Sequence, residues 1–351
     1  MRIEGLPTKD IPSTECYLEL VFRLKESTNW ARAGHEVADG QIQLVGPETL
    51  GSIIQLSKPN SGPQLNQISP HILQITGSEA TWKFNVLHGT LFSWQKAGSE
   101  LIHSPPILDF YRSLTDNDAP SRFGQDWLNN RLNQTQCHVK SVTWSSTPKE
   151  VTIKVTSRVA PPVLEWSIDT TFLYTFTSKQ VIINVIGKPR GNFLPKTFAR
   201  IGLNLSLHNI DKATWFGRGP GESYRDKKLS QKIGNYSLSI DDLFVDYEFP
   251  QETSNRTDVR WVEFSQAKSK APTLKAHFGS LKEASFTATH YRTEDLEKAR
   301  HPYELHKLKR KETVVRLDWA HHGLGTGSCG PATLPEYELR SEPFEYEVLL
   351  E

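Results

Sequence analysis

The sequence predicts an all-β protein made mainly of one large antiparallel domain, and three observations lead there. Apolar and polar side chains alternate over many short runs, aromatic and β-branched residues crowd those runs, and helical periodicity is scarce. In residues 17–24, Leu18, Leu20, Phe22 and Leu24 fall on one face, with Glu19 and Arg23 on the other. Val151, Ile153 and Val155 alternate with Thr152, Lys154 and Thr156, and Leu203, Leu205 and Leu207 alternate with Asn204, Ser206 and His208. Each run reads as a strand with one face in a core. Phe172, Tyr174 and Phe176, set among threonines, read the same way. Only residues 126–132 and 294–299 offer a couple of helical turns, too few to cover a parallel sheet, which argues against repeated βα units.

Turn-forming residues divide the chain. Gly46-Pro47, Lys58-Pro59-Asn60-Ser61-Gly62-Pro63 and Ser69-Pro70 place a linker over 48–70, between a short strand-bearing segment, 1–47, and the large domain, 71–351. The short segment is too small to offset its conformational entropy by burial. It is expected to complete a sheet supplied by another chain, to cap the large domain, or to belong to something longer.

Composition excludes several classes of partner. Lys and Arg number 41 against 40 Asp and Glu, so the surplus of clustered cations that nucleic acid or an anionic membrane requires is absent. The run Lys307-Leu308-Lys309-Arg310-Lys311 is the local exception and reads as a solvated turn. Cys16, Cys137 and Cys329 stand far apart, which fits reduced thiols in a cytoplasmic protein better than a disulfide framework or a zinc cage. The start, Met1-Arg2-Ile3-Glu4-Gly5-Leu6-Pro7, lacks the apolar core of a signal peptide, and no run of about 18 apolar residues follows. No membrane association is expected.

Three segments carry a resemblance. Asp109-Phe110-Tyr111-Arg112-Ser113-Leu114-Thr115-Asp116-Asn117-Asp118, Trp215-Phe216-Gly217-Arg218-Gly219-Pro220-Gly221-Glu222-Ser223-Tyr224-Arg225-Asp226 and Gly323-Leu324-Gly325-Thr326-Gly327-Ser328-Cys329-Gly330-Pro331 resemble, in that order, the C-terminal domain of family 2 β-galactosidases. Asn29-Trp30-Ala31-Arg32-Ala33-Gly34-His35-Glu36-Val37-Ala38 resembles the end of the immunoglobulin-like domain before it. The resemblance implies a β-supersandwich of galactose mutarotase-like fold over 71–351 and a partial immunoglobulin-like β-sandwich over 1–47. It implies a small-subunit-like or C-terminal part of a β-galactosidase, helping to form the site that hydrolyses lactose and other β-galactosides. The acid/base and nucleophilic glutamates, which retaining hydrolysis places about 5 Å apart, and the family's metal ions are then expected on a barrel outside this chain. Its partners are a β-galactoside sugar and a catalytic large subunit or N-terminal domains. No catalytic residue, metal ligand or cofactor is expected in this chain.

The motifs also read chemically. The loop Thr115-Asp116-Asn117-Asp118 is suited to holding sugar hydroxyls or a cation, or to forming a structural Asx turn beside Arg112. The glycines around Pro220 are no dinucleotide fingerprint, since no helix follows; a tight bend that aims Glu222, Tyr224 and Arg225 at one surface fits them, facing either substrate or a neighbouring domain. The glycine-rich loop 323–331 reaches outward and presents Ser328 and Cys329; in the family it enters the active-site mouth, so both are expected to contact substrate, Cys329 at the tip, against the alternative of a merely buried thiol. Asn255 and Arg256 are expected among the substrate-binding residues; they follow a step where the family has Glu-Asn-Gly and this chain has Glu252-Thr253-Ser254, so the Asn-Gly turn is expected to be lost. Ala38-Asp39-Gly40-Gln41 likewise replaces a family pattern with Trp after Ala. His301, His306, His321 and His322 match no metal-ligand spacing and read as hydrogen-bonded or exposed imidazoles. Two alternatives remain: a catalytically silent carbohydrate-binding or structural β-sandwich, and mutarotase-like chemistry pairing Glu222 with His208 or His290.

Overall fold

The computed structural model describes residues 13–56, 62–119, 121–267 and 272–351. The segment Met1–Pro7 and residues 58–61 of the expected linker lie outside them. The chain forms two compact units, dividing after Leu56.

The first unit is a hairpin, β1 (Cys16–Arg23) paired antiparallel with β2 (Glu36–Val45), followed by helix α1 (Leu50–Leu56). No side chain of the described hairpin is buried. Val21, Phe22, Val37, Ile42 and Leu44 stand about half exposed and Trp30 is 64% exposed. Two strands bury too little to be stable alone, so the alternation of β1 marks a core that the hairpin by itself does not build. Ala38 to Gln41 lie within β2, where Ala38 pairs with Phe22.

The second unit runs, in chain order, through β3 (Gln64–Ser69), β4 (Ile72–Thr76), β5 (Ala80–Asn85), β6 (Thr90–Lys96), β7 (Ser99–Glu100), β8 (Ile102–Asp109), α2 (Arg122–Asn129), β9 (Gln136–Ser146), β10 (Val151–Ala160), β11 (Ser167–Phe176) and β12 (Val181–Arg190). It continues with β13 (Arg200–Leu207), β14 (Lys212–Gly219), β15 (Lys232–Ser239), α3 (Ile240–Leu243), β16 (Trp261–Ser265), β17 (Leu274–His277), β18 (Ser285–Thr289), α4 (Thr293–Lys298), α5 (Pro302–His306), β19 (Thr313–His321) and β20 (Phe344–Leu350). The stretch expected to be a linker thus contains α1 and β3, the latter because Leu65 sits opposite Ile75 on β4 and packs on the large unit's core.

All ladders are antiparallel. A nine-stranded sheet has the order β15-β14-β16-β17-β20-β12-β11-β10-β9, a four-stranded sheet β18-β19-β13-β8, and a five-stranded sheet β3-β4-β5-β6-β7. One apolar cluster joins side chains from all three, with Trp82, Trp94, Trp166 and Trp215 at most 1% exposed. Each such ring contributes on the order of 1.5–3 kcal/mol by leaving water. This is the large antiparallel supersandwich the sequence predicts.

β10 alternates as expected, with Val151, Ile153 and Val155 buried between partly or fully exposed neighbours. β13 does not. Seven of its eight residues are buried, Ser206 among them, because β19 and β8 flank it within an inner sheet. Arg200 on β13 pairs with Asp318 on β19, Nε lying 3.1 Å from Oδ1, and Gly202 leaves the room that this carboxylate occupies.

Candidate functional site

Three loops that the sequence singles out converge on one cleft of about 580 Å³. The loop after β8 brings Thr115, Asp116 and Asn117; the turn after β14 brings Glu222, Tyr224, Asp226 and Lys227; the segment after β19 brings Leu324, Gly325, Thr326 and Ser328. Tyr247, Gln251 and Glu252, from the connection between α3 and β16, close the remaining side.

The glycine-rich loop is held from both flanks. Asp226 accepts the Leu324 and Gly325 N–H groups at 2.9 and 2.8 Å. The Asn117 amide donates to Gly325 O at 2.9 Å and accepts from Ser328 N and Oγ at 3.2 and 2.7 Å. Gly325 has φ +62°, and a Cβ there would lie 2.6 Å from Thr333 N, so the loop requires glycine at that position. Ser328 lines the cleft. Cys329, next along the loop, is exposed and lies outside the lining of the cleft.

The predicted polar loop divides by residue. Asp116 faces the cleft and pairs with the Gln251 amide, while Asp118 is 1% exposed and turned inward. Asp118 accepts from Arg112 Nη1 at 2.5 Å and Nη2 at 3.1 Å and from Thr115 N and Oγ1 at 2.8 Å, and Arg112 lies over the Trp127 ring. For Asp118 the structural turn is therefore the right reading, because a buried carboxylate this fully paired has nothing left to offer a ligand.

Glu222 lines the cleft and is tied in place by Lys227 Nζ at 2.7 Å, the Tyr247 hydroxyl and Ser254 N at 3.0 Å. Burial pushes its carboxyl up, but the bonds from Lys227, Tyr247 and Ser254 outweigh it and hold the acid below its ordinary value. Tyr224 is buried and borders the cleft. Arg225 does not share that surface: it pairs with Glu283 at 3.0 Å, donates to Glu338 O, and borders a different concavity beside Trp319.

Asn255 and Arg256, 0% and 1% exposed, do not reach the cleft. Asn255 Nδ2 donates to Ser223 O, and Arg256 donates to Pro220, Leu243 and Ser254 carbonyls, so the pair braces the turn that carries Glu222. Ser254, where the family has glycine, takes φ +71°, the conformation that suits glycine, and its hydroxyl accepts Val245 N–H at 2.9 Å.

The four histidines separate. His301 precedes α5 and His306 is its last residue, 2.8 Å from Asp246. His321 and His322 are buried: His321 Nδ1 donates to His322 O, and His322 Nδ1 accepts Leu339 N–H. His208 packs on His103 and His290 contacts Glu312, and no histidine lines the cleft beside Glu222. Among the described residues no three His, Cys, Asp or Glu side chains gather as metal ligands, and no helix is long and apolar enough to cross a membrane. Sequence reasoning missed Asp226, Lys227, Tyr247, Gln251 and Glu252. Asp226 and Glu252 stand inside segments already marked, whereas Tyr247 carries no local signal.

Fold and site define a large antiparallel β-sandwich protein whose loops enclose a cleft of acidic, amide and hydroxyl groups. Residues 76–350 match the family model described as beta galactosidase small chain, and residues 2–45 match that of beta-galactosidase domain 4. The chain belongs to the β-galactosidase small-chain family. It is 30% identical to the β-galactosidase of Kluyveromyces lactis and 28% identical to that of an Arthrobacter species, over 96% and 93% of this chain. It spans about a third of those curated relatives' length, 32% of each. Among solved structures, a galactose mutarotase-like protein from Clostridium acetobutylicum aligns at 7% identity with a TM-score of 0.45, over 84% of this chain and 99% of that one. A putative mutarotase from Salmonella typhimurium aligns at 9% identity with a TM-score of 0.41, over 86% and 97%.

Proposed function

We propose that this chain forms one wall of the active-site cleft of a family 2 β-galactosidase acting on lactose and other β-galactosides. The observation that carries the reading is convergence: three segments that resemble the family, more than 200 residues apart at their extremes, build a single cleft. Asp116, Asn117 and Ser328 are the side chains best placed to meet sugar hydroxyls, since each lines the cleft on an otherwise braced loop. Glu222 is a poor proton donor because its bound cation and hydroxyl favour the carboxylate. The acid/base and nucleophilic carboxylates belong to a barrel on a large subunit or on N-terminal domains.

The hairpin β1–β2 fits the same reading. Its half-exposed Val21, Phe22, Val37 and Ile42 are suited to completing an immunoglobulin-like sandwich with strands from that catalytic part. Three free thiols accord with a cytoplasmic location. The mutarotase alternative loses its basis, because Glu222 has no imidazole beside it in the cleft.

The test is an assay of the purified chain on a chromogenic β-galactoside, alone and mixed with a polypeptide carrying the family's barrel. Turnover in the mixture only is the expected result. Appreciable turnover by the chain alone contradicts the division of labour, and no rescue by any barrel-bearing partner favours a silent carbohydrate-binding sandwich.

A further inference from the structure

The base of the cleft holds polar groups that the protein leaves incomplete. Glu252 and Tyr224 line the cleft yet are only 3% and 1% exposed, and Glu252 Oε1 and Tyr224 Oη have no hydrogen-bond partner within the chain. Behind them, His321 Nε2 stands 3.7 Å from Glu252 Oε1, and Arg200 Nη1 stands 3.8 Å from Glu252 Oε2. Those two nitrogens, also buried, are likewise without a hydrogen bond. The Tyr224 and His321 rings meet edge to face at 5.2 Å, so the groups form one cluster. Buried polar atoms in folded proteins are nearly always paired, and several incomplete ones side by side at a cleft are the mark of a ligand's place.

Charge and hydrogen-bonding capacity say which chemical group completes them. Glu252 faces Arg200, which Asp318 also pairs, and Arg316 adds its charge to the same cluster. A further cation would meet Arg200 and Arg316, and a further anion would meet Glu252, Asp318 and Glu222. His321 Nδ1 is committed as a donor to His322 O, and its Nε2 faces Glu252 Oε1 at 3.7 Å, too far for a hydrogen bond. The missing partner is therefore neutral, donates to a carboxylate and accepts from a phenol, which is the capacity of an alcohol. The cleft, at about 580 Å³, is of a size that takes a monosaccharide.

We propose that the base of the cleft is a hydroxyl-binding subsite, in which one hydroxyl of a pyranose donates to Glu252 Oε1 and accepts from Tyr224 Oη. Arg200 and His321 stand behind the carboxylate, at 3.8 and 3.7 Å. The inference rests on the reading of the cleft as a sugar site. A resident water offers the same chemistry, and the experiment separates the two sources.

Galactose and a series of singly deoxygenated galactoses are titrated calorimetrically into the full chain and into its Glu252→Gln and Tyr224→Phe variants. One analogue is expected to bind about tenfold more weakly than galactose to the unaltered chain, as loss of a bond to a charged group implies. That penalty disappears in Glu252→Gln, and Tyr224→Phe weakens galactose itself. If galactose binds but every analogue and both variants bind equally well, water completes the cluster; the subsite is overturned while the cleft reading stands. If galactose does not bind the unaltered chain, the subsite is overturned, while the reading of the cleft as one wall of a shared site is decided separately by the assay with a barrel-bearing partner. Should Glu252→Gln fail to fold, the analogue series on the unaltered chain and on Tyr224→Phe still decides.

Discussion

At the scale of single residues, the side chains that frame the cleft are mostly braces. Arg112 and Asp118 form a buried ion pair, and removing one partner leaves the other charged and unpaired. Arg112→Met is expected to lower stability by about 3–5 kcal/mol in urea unfolding; a loss under about 1 kcal/mol would show that Thr115 alone satisfies Asp118. His322 gives a pH signature. Burial, then the nearby charges of Arg112, His321 and Arg225, depress its pKa to about 2. An unfolded imidazole takes its proton near 6.5, so below that pH the unfolded state binds more protons, and the stability present above 6.5 is lost on acidification. Around pH 5 this group alone costs about 1.4 kcal/mol per pH unit. Denaturant titrations between pH 7 and pH 5 should show a slope that steepens toward that value, and His322→Gln should flatten it. Glu252 acts lower: burial raises its acid, Arg200 and then His321 outweigh burial, and a value of about 2 means its contribution is lost only below about 4.5.

At the scale of elements, the glycine-rich loop and the hairpin make opposite predictions. Alanine at Gly325 meets both a left-handed backbone and the Thr333 amide, and should destabilise the loop by about 1–2 kcal/mol. Asp226→Ala removes the acceptor for two loop amides, so amide exchange at Leu324 and Gly325 should accelerate in both variants while β11 and β12 keep their protection. Unchanged exchange in Asp226→Ala would show the loop to be held from the Asn117 side alone. The hairpin, with nothing buried, should exchange fast in the isolated chain and become protected on adding a barrel-bearing partner. Strand positions such as β10 were legible because a half-buried strand writes its burial into every second residue. β13 was misread because an inner strand hides polar groups through pairing, Arg200 with Asp318, and that pairing lies 118 positions away in sequence.

At the scale of the whole molecule, long-range assembly decides what the local pattern leaves open. The three segments of the cleft were each legible as unusual loops, and their meeting was implied only by the family resemblance. Which side chain of each loop turns inward was not legible. Asp118 faces the core because Arg112 of its own loop pairs with it there, and Asn255 and Arg256 do so because the carbonyls of Ser223, Pro220 and Leu243 come in from other segments. Glu252 and Tyr247 reach the cleft from a connection with no periodic signal. The central claim is that this wall shapes the site where a galactoside reacts. Steady-state kinetics of the enzyme assembled with a barrel-bearing chain test it most directly, comparing the unaltered chain with Asn117→Ala. The prediction is a fall of about tenfold or more in kcat/KM with assembly intact, as displaced positioning groups produce. An assembled enzyme whose kcat/KM is unchanged by Asn117→Ala would contradict it.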